Sequence, residues 1–359
     1  LTKLVCNGCH ARANATESGF GFKPKKTQSF LRRILVHFAR SLTLMLVATL
    51  GLAAAPAAVG QDYPQRPIRL LIPNQAGSSV DTLGRIFANT FSQVAGQQMV
   101  VDNRGGAGGL IGMEIGKDAL PDGYTLVSAS TAAMVIGPHL HKKLPFDPLK
   151  DYAFISLFGN TPNILVVNPS LPVKSVKELI EFNKSRGGKA NMASAGVGSQ
   201  SHLAGVMFMN LAKSEALHVP YKGGGASVAA VVSGESQWTI TPAPAVAGLI
   251  KSGKLRAVAH SLPGKTALLG DLPAIAETVP GYQYGGWNGL LAPIKTPQPI
   301  LTKVRDLLVK TTQNAEFRRL FEQQMTEVVT NTPQEFRKFV EAEIKAMGPV
   351  VKAAGLQPF

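Results

Sequence analysis

The sequence predicts an α/β fold of two lobes, each a sheet wrapped by helices, with a ligand cleft between the lobes. Two observations lead there. Strand-like and helix-like segments alternate from residue 68 to residue 292, the pattern of parallel sheets covered by helices. In addition, a hydrophobic strand twice runs into a loop of small residues that opens an amphipathic helix. Residues 68–73 lead through 74–79 into a helix starting at Val80 or Asp81, and residues 190–193 lead through 194–199 into one starting near Ser201. A loop ending at a helix start presents unpaired backbone N–H groups and the positive end of the helix dipole. Glycine lets a ligand approach the backbone and serine adds hydroxyl donors, so each unit is a cradle for an anion. Two cradles more than a hundred residues apart imply two walls gripping one anion, which is a binding architecture.

Residues 68–72 read as the first strand and 80–94 as the first helix, with Leu83, Ile86, Phe87, Thr90 and Phe91 on one face. Strands follow at 98–101, 125–128, 164–167, 255–260 and 289–292. Helices follow at 109–118, 175–184, 201–211 and 226–233. Beyond residue 298 the pattern is helix after helix. Residues 299–314 are apolar at Ile300, Val304, Leu307 and Leu308, and 315–324 at Phe317, Leu320 and Phe321. Thr332-Pro333-Gln334-Glu335 supplies an N-cap, a Pro at the first helical position and a Glu at the third, so a last helix runs from there to near Gly355. These helices are expected on the outside of one lobe.

The first 60 residues read as material removed on export. Arg32, Arg33 and Arg40 precede an uncharged apolar stretch, 41–55, and small residues through Gly60. A basic segment, an apolar segment and a small-residue zone in that order make a signal peptide cleaved near 58–60, with the twin arginines leaving a Tat-type route open. A membrane anchor would need about 20 strongly apolar residues, and Gly51, Pro56 and the alanines weaken that reading. Because the chain opens on Leu1 with no methionine before Met45, translation is expected to start between residues 31 and 36. Peptides from residues 1–25 in a precursor digest would overturn that. Cys6-Asn7-Gly8-Cys9-His10 matches a haem-attachment pattern, but it precedes the export signal and would be discarded with it. No cysteine follows, so thiol and disulfide chemistry are excluded from the mature chain. Residues 1–60 carry eight Lys/Arg and one acid, a net of +7, which leaves +8 of the chain's +15 on residues 61–359. That balance suits anionic ligands. No basic cluster interleaved with aromatics points to nucleic acid.

Several motifs fail on spacing. Gly264-Lys265-Thr266 lacks the earlier P-loop glycine, where Ala259 stands. The run from Gly105 to Gly109 lacks dinucleotide spacing and reads as a tight turn that lets a helix approach a sheet. His139 and His141 have no third metal ligand and read as surface residues. Ser194 and Ser199 lack the nucleophile elbow; a Ser199–His202 pair is the enzyme alternative, an exported hydrolase, against the reading of His202 as part of a polar ligand site. Tyr221-Lys222-Gly223, followed by Gly224, Gly225 and Ala226, forms a third glycine-rich helix entry after a strand at 217–220. It reads either as ligand contact or as a solvent-exposed turn.

A set of ordered motifs resembles one family, the substrate-binding receptors of tripartite tricarboxylate transporters, the Bug (TctC-like) proteins. It comprises Tyr63-Pro64-Gln65-Arg66-Pro67-Ile68-Arg69, Val100-Val101-Asp102-Asn103-Arg104, Pro121-Asp122-Gly123-Tyr124-Thr125-Leu126 and Leu144-Pro145-Phe146-Asp147. It continues with Asn163-Ile164-Leu165-Val166-Val167, His218-Val219-Pro220-Tyr221-Lys222-Gly223 and Trp287-Asn288-Gly289-Leu290-Leu291-Ala292-Pro293. The resemblance implies a type II periplasmic binding protein fold with chain crossovers near 160–163 and 284–287. Lobe 1 would comprise 61–162 plus 288–359, and lobe 2 would be 163–287. It also implies a monomer that binds a small organic carboxylate without any cofactor or metal and delivers it to integral-membrane permease subunits. The family's ligand loops fall on Pro73, Ala76, Gly77, Ser78, Ser79 and Asp81; on Ser130 and Thr131; on Ser194, Ala195, Gly196, Gly198, Ser199 and His202; on Tyr221, Lys222 and Gly223; and on Pro242 and Ala243. Asn163 is added at the crossover. The chain departs from the family where Ser78-Ser79 replace a glycine pair and at residues 237–241, which are expected to reshape the second lobe's wall. A like charge would repel the anion, so Asp81 is expected to orient the first loop. A ligand-presenting adaptor for a membrane sensor would carry the same binding lobes.

Overall fold

The computed structural model describes residues 63–358. The expected leader, its cleavage zone, the translation start and the Cys6–His10 motif all lie outside the described residues.

The fold begins as the periodicity predicts. Strand β1 (Ile68–Ile72) leads to helix α1 (Ser79–Ala95), whose buried face carries Leu83, Phe87 and Phe91. Then come β2 (Met99–Asn103), α2 (Leu110–Lys117) and β3 (Thr125–Ser130). A short helical passage ends in α3 (Gly137–Leu140). The next strand, β4 (Tyr152–Val167), has 16 residues and is almost wholly buried. The second half follows the same grammar, with α4 (Val176–Ser185), β5 (Asn191–Ser194), α5 (Gln200–Ala212), β6 (Leu217–Pro220) and α6 (Gly224–Ser233). It continues with β7 (Trp238–Pro242), α7 (Ala247–Lys251), β8 (Arg256–His260) and the returning strand β9 (Gly285–Pro293). Helices α8 (Gln298–Gln313), α9 (Ala315–Gln323) and α10 (Pro333–Ala353) complete the chain.

Strand order is β2-β1-β3-β9-β4-β7-β5-β6, with β8 also on β4. β4 divides this path into two sheets because it changes partners midway. From Tyr152 to Pro162 it pairs antiparallel with β9; from Asn163 to Val167 it pairs with β7 and β8 instead. The crossover is therefore one continuous strand, with Asn160 opposite Trp287 and Pro162 opposite Gly285. In each sheet the helix-bearing strands run parallel, β1 with β2 and β3, and β5 with β6 and β7. Alternation on β4 sorts its side chains between layers: Ile164 and Val166 join one apolar cluster while Leu165 and Val167 join another.

Two features differ from the sequence reading. β7 (Trp238–Pro242) occupies most of residues 237–241, where only a departure from the family pattern was visible. Trp238 is fully buried there against Phe208, and Thr239 donates its hydroxyl to the Ala193 carbonyl at 2.8 Å. The C-terminal helices also do not all stay on one lobe. α8 and α9 pack on α1, but α10 reaches both sheets. Its first half presents Phe336 to Phe154 and Trp287. Its end accepts a hydrogen bond at the Ala353 carbonyl from Asn210 of α5. At 21 residues it is about 31 Å long, and its apolar stripe continues through Met347 and Val351, so one sheet cannot cover it.

Candidate functional site

Three helices point their N-termini into one cleft, at the carboxyl ends of β1, β5 and β6. This is where open parallel sheets leave a crevice. Each start is built from local sequence. At α1 the Ser78 hydroxyl caps the Asp81 amide and the Ser78 carbonyl takes the Thr82 amide, which leaves the Ser79 and Val80 amides with no acceptor among the described residues. The same arrangement recurs at α5. Ser199 caps His202 through its hydroxyl and Leu203 through its carbonyl, leaving Gln200 and Ser201 free. At α6 the cap is Gly223, with a φ of 99°, and the Gly224 and Gly225 amides have no partner among the described residues. All six of these residues line a cavity of about 470 Å³. It joins a wider space of about 800 Å³ that reaches Gly106, Leu140 and Val197. No Asp or Glu lines either space among the described residues; Lys254 and Lys222 do.

Of the residues expected at the site, twelve line these spaces: Pro73, Ala76, Gly77, Ser78, Ser79, Ser130, Ala195, Gly198, Ser199, Lys222, Gly223 and Pro242. Eight do not, and most of them hold the lining in place. Asp81, 3% exposed, accepts the Gly77 amide at 2.8 Å and the Asn103 side-chain amide at 3.0 Å, and pairs with Arg85. Burial raises its pKa, but the Arg85, Gly77 and Asn103 contacts outweigh that and leave it below the usual carboxylate range. Thr131 accepts the Trp287 amide, tying β3 to the crossover. Asn163 donates its backbone amide to the Ser261 hydroxyl oxygen and is fully buried at the crossover itself. Ser194 and Gly196 form a turn closed by their own hydrogen bonds. Ala243 is packed in the second sheet's apolar cluster.

His202 and Tyr221 are placed outside the lining of both spaces. His202 is 5% exposed and stacks on His218 with ring centroids 3.9 Å apart. Its Nδ1 accepts the Gly198 amide at 3.1 Å, so it shapes the loop from behind. Burial, and secondarily His218, depress its pKa to about 4. Tyr221 turns away from the cleft, and its hydroxyl reaches Glu235 at 2.9 Å. The backbone of the third loop, not its aromatic ring, lies in the wall. The Ser199–His202 pairing that a hydrolase needs is absent too, because Ser199 accepts from the His202 backbone amide and not from its ring. His139, expected at the surface, is half-buried and bonded through Nε2 to the Ile344 carbonyl of α10.

Val80, Gln200, Ser201, Gly224 and Gly225 fall within the loops at 73–81 and 194–202 and the glycine entry after Tyr221 but were not singled out, although the N-terminal amide argument pointed straight at them: the free amides belong to the residues after the cap. Sequence reasoning missed Thr241, Val228, Val232, Leu249 and Lys254, which no motif marks. The glycine run after β2 has the role its spacing suggested. A Cβ at Gly109 would stand 2.9 Å from the Pro73 carbonyl oxygen, and one at Gly112, in α2, 2.6 Å from the Pro73 Cα, so the turn and α2 both touch the first loop's backbone. Contacts also cross the cleft. Leu140 sits against Gly198 and Gln75 against Gly223.

Comparison with known proteins agrees with this geometry. A family model described as the tripartite tricarboxylate transporter family receptor (TctC) matches residues 83–356. The chain is similar to protein BugT of Bordetella pertussis, with 33% identity over 313 residues, covering 87% of this chain and 95% of that one. A solved structure described as a periplasmic transporter shares 36% identity at a TM-score of 0.78, covering 82% of this chain and 99% of that chain. An R. palustris protein solved with adipate shares 30% identity at a TM-score of 0.79, covering 83% and 100%. The chain therefore belongs to the tripartite tricarboxylate transporter receptor family and is a periplasmic solute receptor with the type II binding-protein fold, not an enzyme.

Proposed function

We propose that the protein captures a small organic carboxylate by closing its lobes and hands it to the membrane permease subunits of a tripartite transporter, acting as a monomer after removal of residues 1–60. The observation that carries this reading is the set of six unpaired amides at three helix N-termini around a cavity without a carboxylate among the described residues. Helix N-termini stabilise anions through their dipoles and free donors. Each charge-assisted hydrogen bond contributes about 1.5–3 kcal/mol net. Three or four of them, less the cost of ordering, bring a small carboxylate to about the micromolar range, near −8 kcal/mol. Only the closed form engages donors on both walls, so the ligand favours closure by its differential affinity. In this reading the lobes are 61–162 with 288–359, and 163–287, with α10 strapped across them. The adipate in the R. palustris relative supports a carboxylate here.

The test is a thermal-shift screen of the purified receptor against carboxylates of varied length and charge, followed by calorimetry on the hits. Stabilisation by carboxylates and not by uncharged analogues is expected. Ser199→Ala should raise Kd about tenfold, or 1.4 kcal/mol, with the fold retained. An unaltered Kd removes that loop from the site.

A further inference from the structure

The cavity does not end at the amides. From Gly224 and Gly225 it runs along one face of α6, past Val228 and Val232, to Lys254. At 1.5 Å per residue, Gly224 to Val232 spans about 12 Å. The opposite side of this groove is Leu249 with Ala245 and Pro242, residues of the second sheet's apolar cluster and its flank. Its floor includes Thr241, which is 1% exposed. Thr241 faces the groove because its cross-strand neighbour is Ile164, a member of that same cluster. At the far end Lys254 has no carboxylate partner among the described residues. The arrangement is thus a donor cluster, an apolar corridor and a cation.

Resting on the receptor reading above, we propose that this groove is a distal subsite that selects an elongated dianion, a linear α,ω-dicarboxylate of about eight carbons, over short or hydroxylated acids. One carboxylate sits at the helix N-termini, the methylenes lie along Val228 and Val232, and the second carboxylate meets Lys254. C–C bonds of about 1.5 Å advance an extended chain by about 1.3 Å each, so seven such bonds plus the reach of two hydrogen bonds span the groove. A four-carbon diacid held at the amides leaves both the corridor and Lys254 unused. A hydroxyl on the chain would be desolvated against valines.

The experiment is calorimetry of the intact protein with the series succinate, adipate, suberate and sebacate, and with octanoate as the monoanion of suberate's length. Each methylene that enters the corridor should tighten binding about two- to fourfold, so suberate should bind at least tenfold tighter than succinate. Lys254→Gln should lower the ratio of suberate to octanoate affinity about fivefold, in keeping with a half-exposed ion pair. Val232→Asp, placed on an accessible helix face, should weaken suberate far more than succinate. Succinate binding as tightly as suberate, or both variants leaving these ratios unchanged, overturns the subsite while the receptor reading stands. Failure of every carboxylate to bind, with Ser199→Ala silent as well, overturns the receptor reading and the subsite together.

Discussion

Asp81→Ala separates the cradle's scaffolding from its chemistry. The Asp81 carboxylate is the acceptor for the Gly77 amide and the Asn103 side chain, and its Arg85 partner is about half exposed. Removing it strands one backbone donor and one amide, each losing a charge-assisted bond of about 1.5–3 kcal/mol. The Arg85 pair adds little after solvent screening. The lower end of that range for the two bonds totals about 3 kcal/mol, and at roughly 2–3 °C per kcal/mol for a chain of this size the Tm falls by at least about 6–9 °C. Because Gly77 opens the loop that carries Ser78 and Ser79, affinity for the carboxylate should fall as well, about ten- to hundredfold. The sign of the pH dependence is also determined. The folded-state pKa of Asp81 is lowered, since its hydrogen bonds outweigh its burial. Its stabilisation is therefore fully present above the ordinary carboxylate pKa and lost as pH falls through the lowered value. Urea unfolding of both proteins at pH 7, 5 and 3.5 should show a gap of about 3 kcal/mol that is constant down to pH 5 and begins to narrow at 3.5. A Tm within 1 °C of the parent at pH 7, together with unchanged affinity, would refute the reasoning.

Other predictions follow from the same geometry. His202 has a folded-state pKa of about 4 against about 6.5 unfolded, so protonation favours the unfolded chain. Stability should decline between pH 6.5 and 4, by about 3 kcal/mol in the limit, and His202→Gln should flatten that slope in urea titrations. Gly198→Ala places a Cβ against Leu140 across the cleft at a φ of 74°. Strain of about 1–2 kcal/mol should weaken ligand binding five- to thirtyfold, and small-angle scattering should show a more open form; equal affinity would show that this contact does not govern closure. Gly112→Ala drives a methyl into the Pro73 and Arg104 backbone and should cost about 1–3 kcal/mol in chemical denaturation.

Much of the molecule could be read along the chain because its signals are local. The helices at 175–184 and 201–211 fall within one residue of their observed ends, since the Ser175 and Ser199 caps and the apolar periodicity lie within a single turn of them. The cap of α10 was readable for the same reason, Thr332 and Glu335 closing a reciprocal box. β4 was seen only as residues 164–167, because its first half is packed against by both α8 and α10 and is buried almost throughout, so it shows no alternation. β7 went unread because its alternation of Trp238 and Ile240 with Thr239 and Thr241 acquires meaning only when β4 and β5 lie on either side.

The sequence by itself determined the alternating α/β grammar, the capped helix starts at Ser78 and Ser199, the glycine entry at Gly223 and the family motifs that order them. Each depends on residues within a turn or two of one another, where capping, dipole and steric preferences act. Only the tertiary structure decided which side chains face the ligand. Tyr221 and His202 sit beside the cleft yet turn to Glu235 and Gly198, while Thr241, Val232 and Lys254 arrive in the wall from three separate segments. The direction of a side chain at a sheet's carboxyl edge is set by the strand and helix packed next to it, and the neighbouring strands come from 26 to 79 residues away.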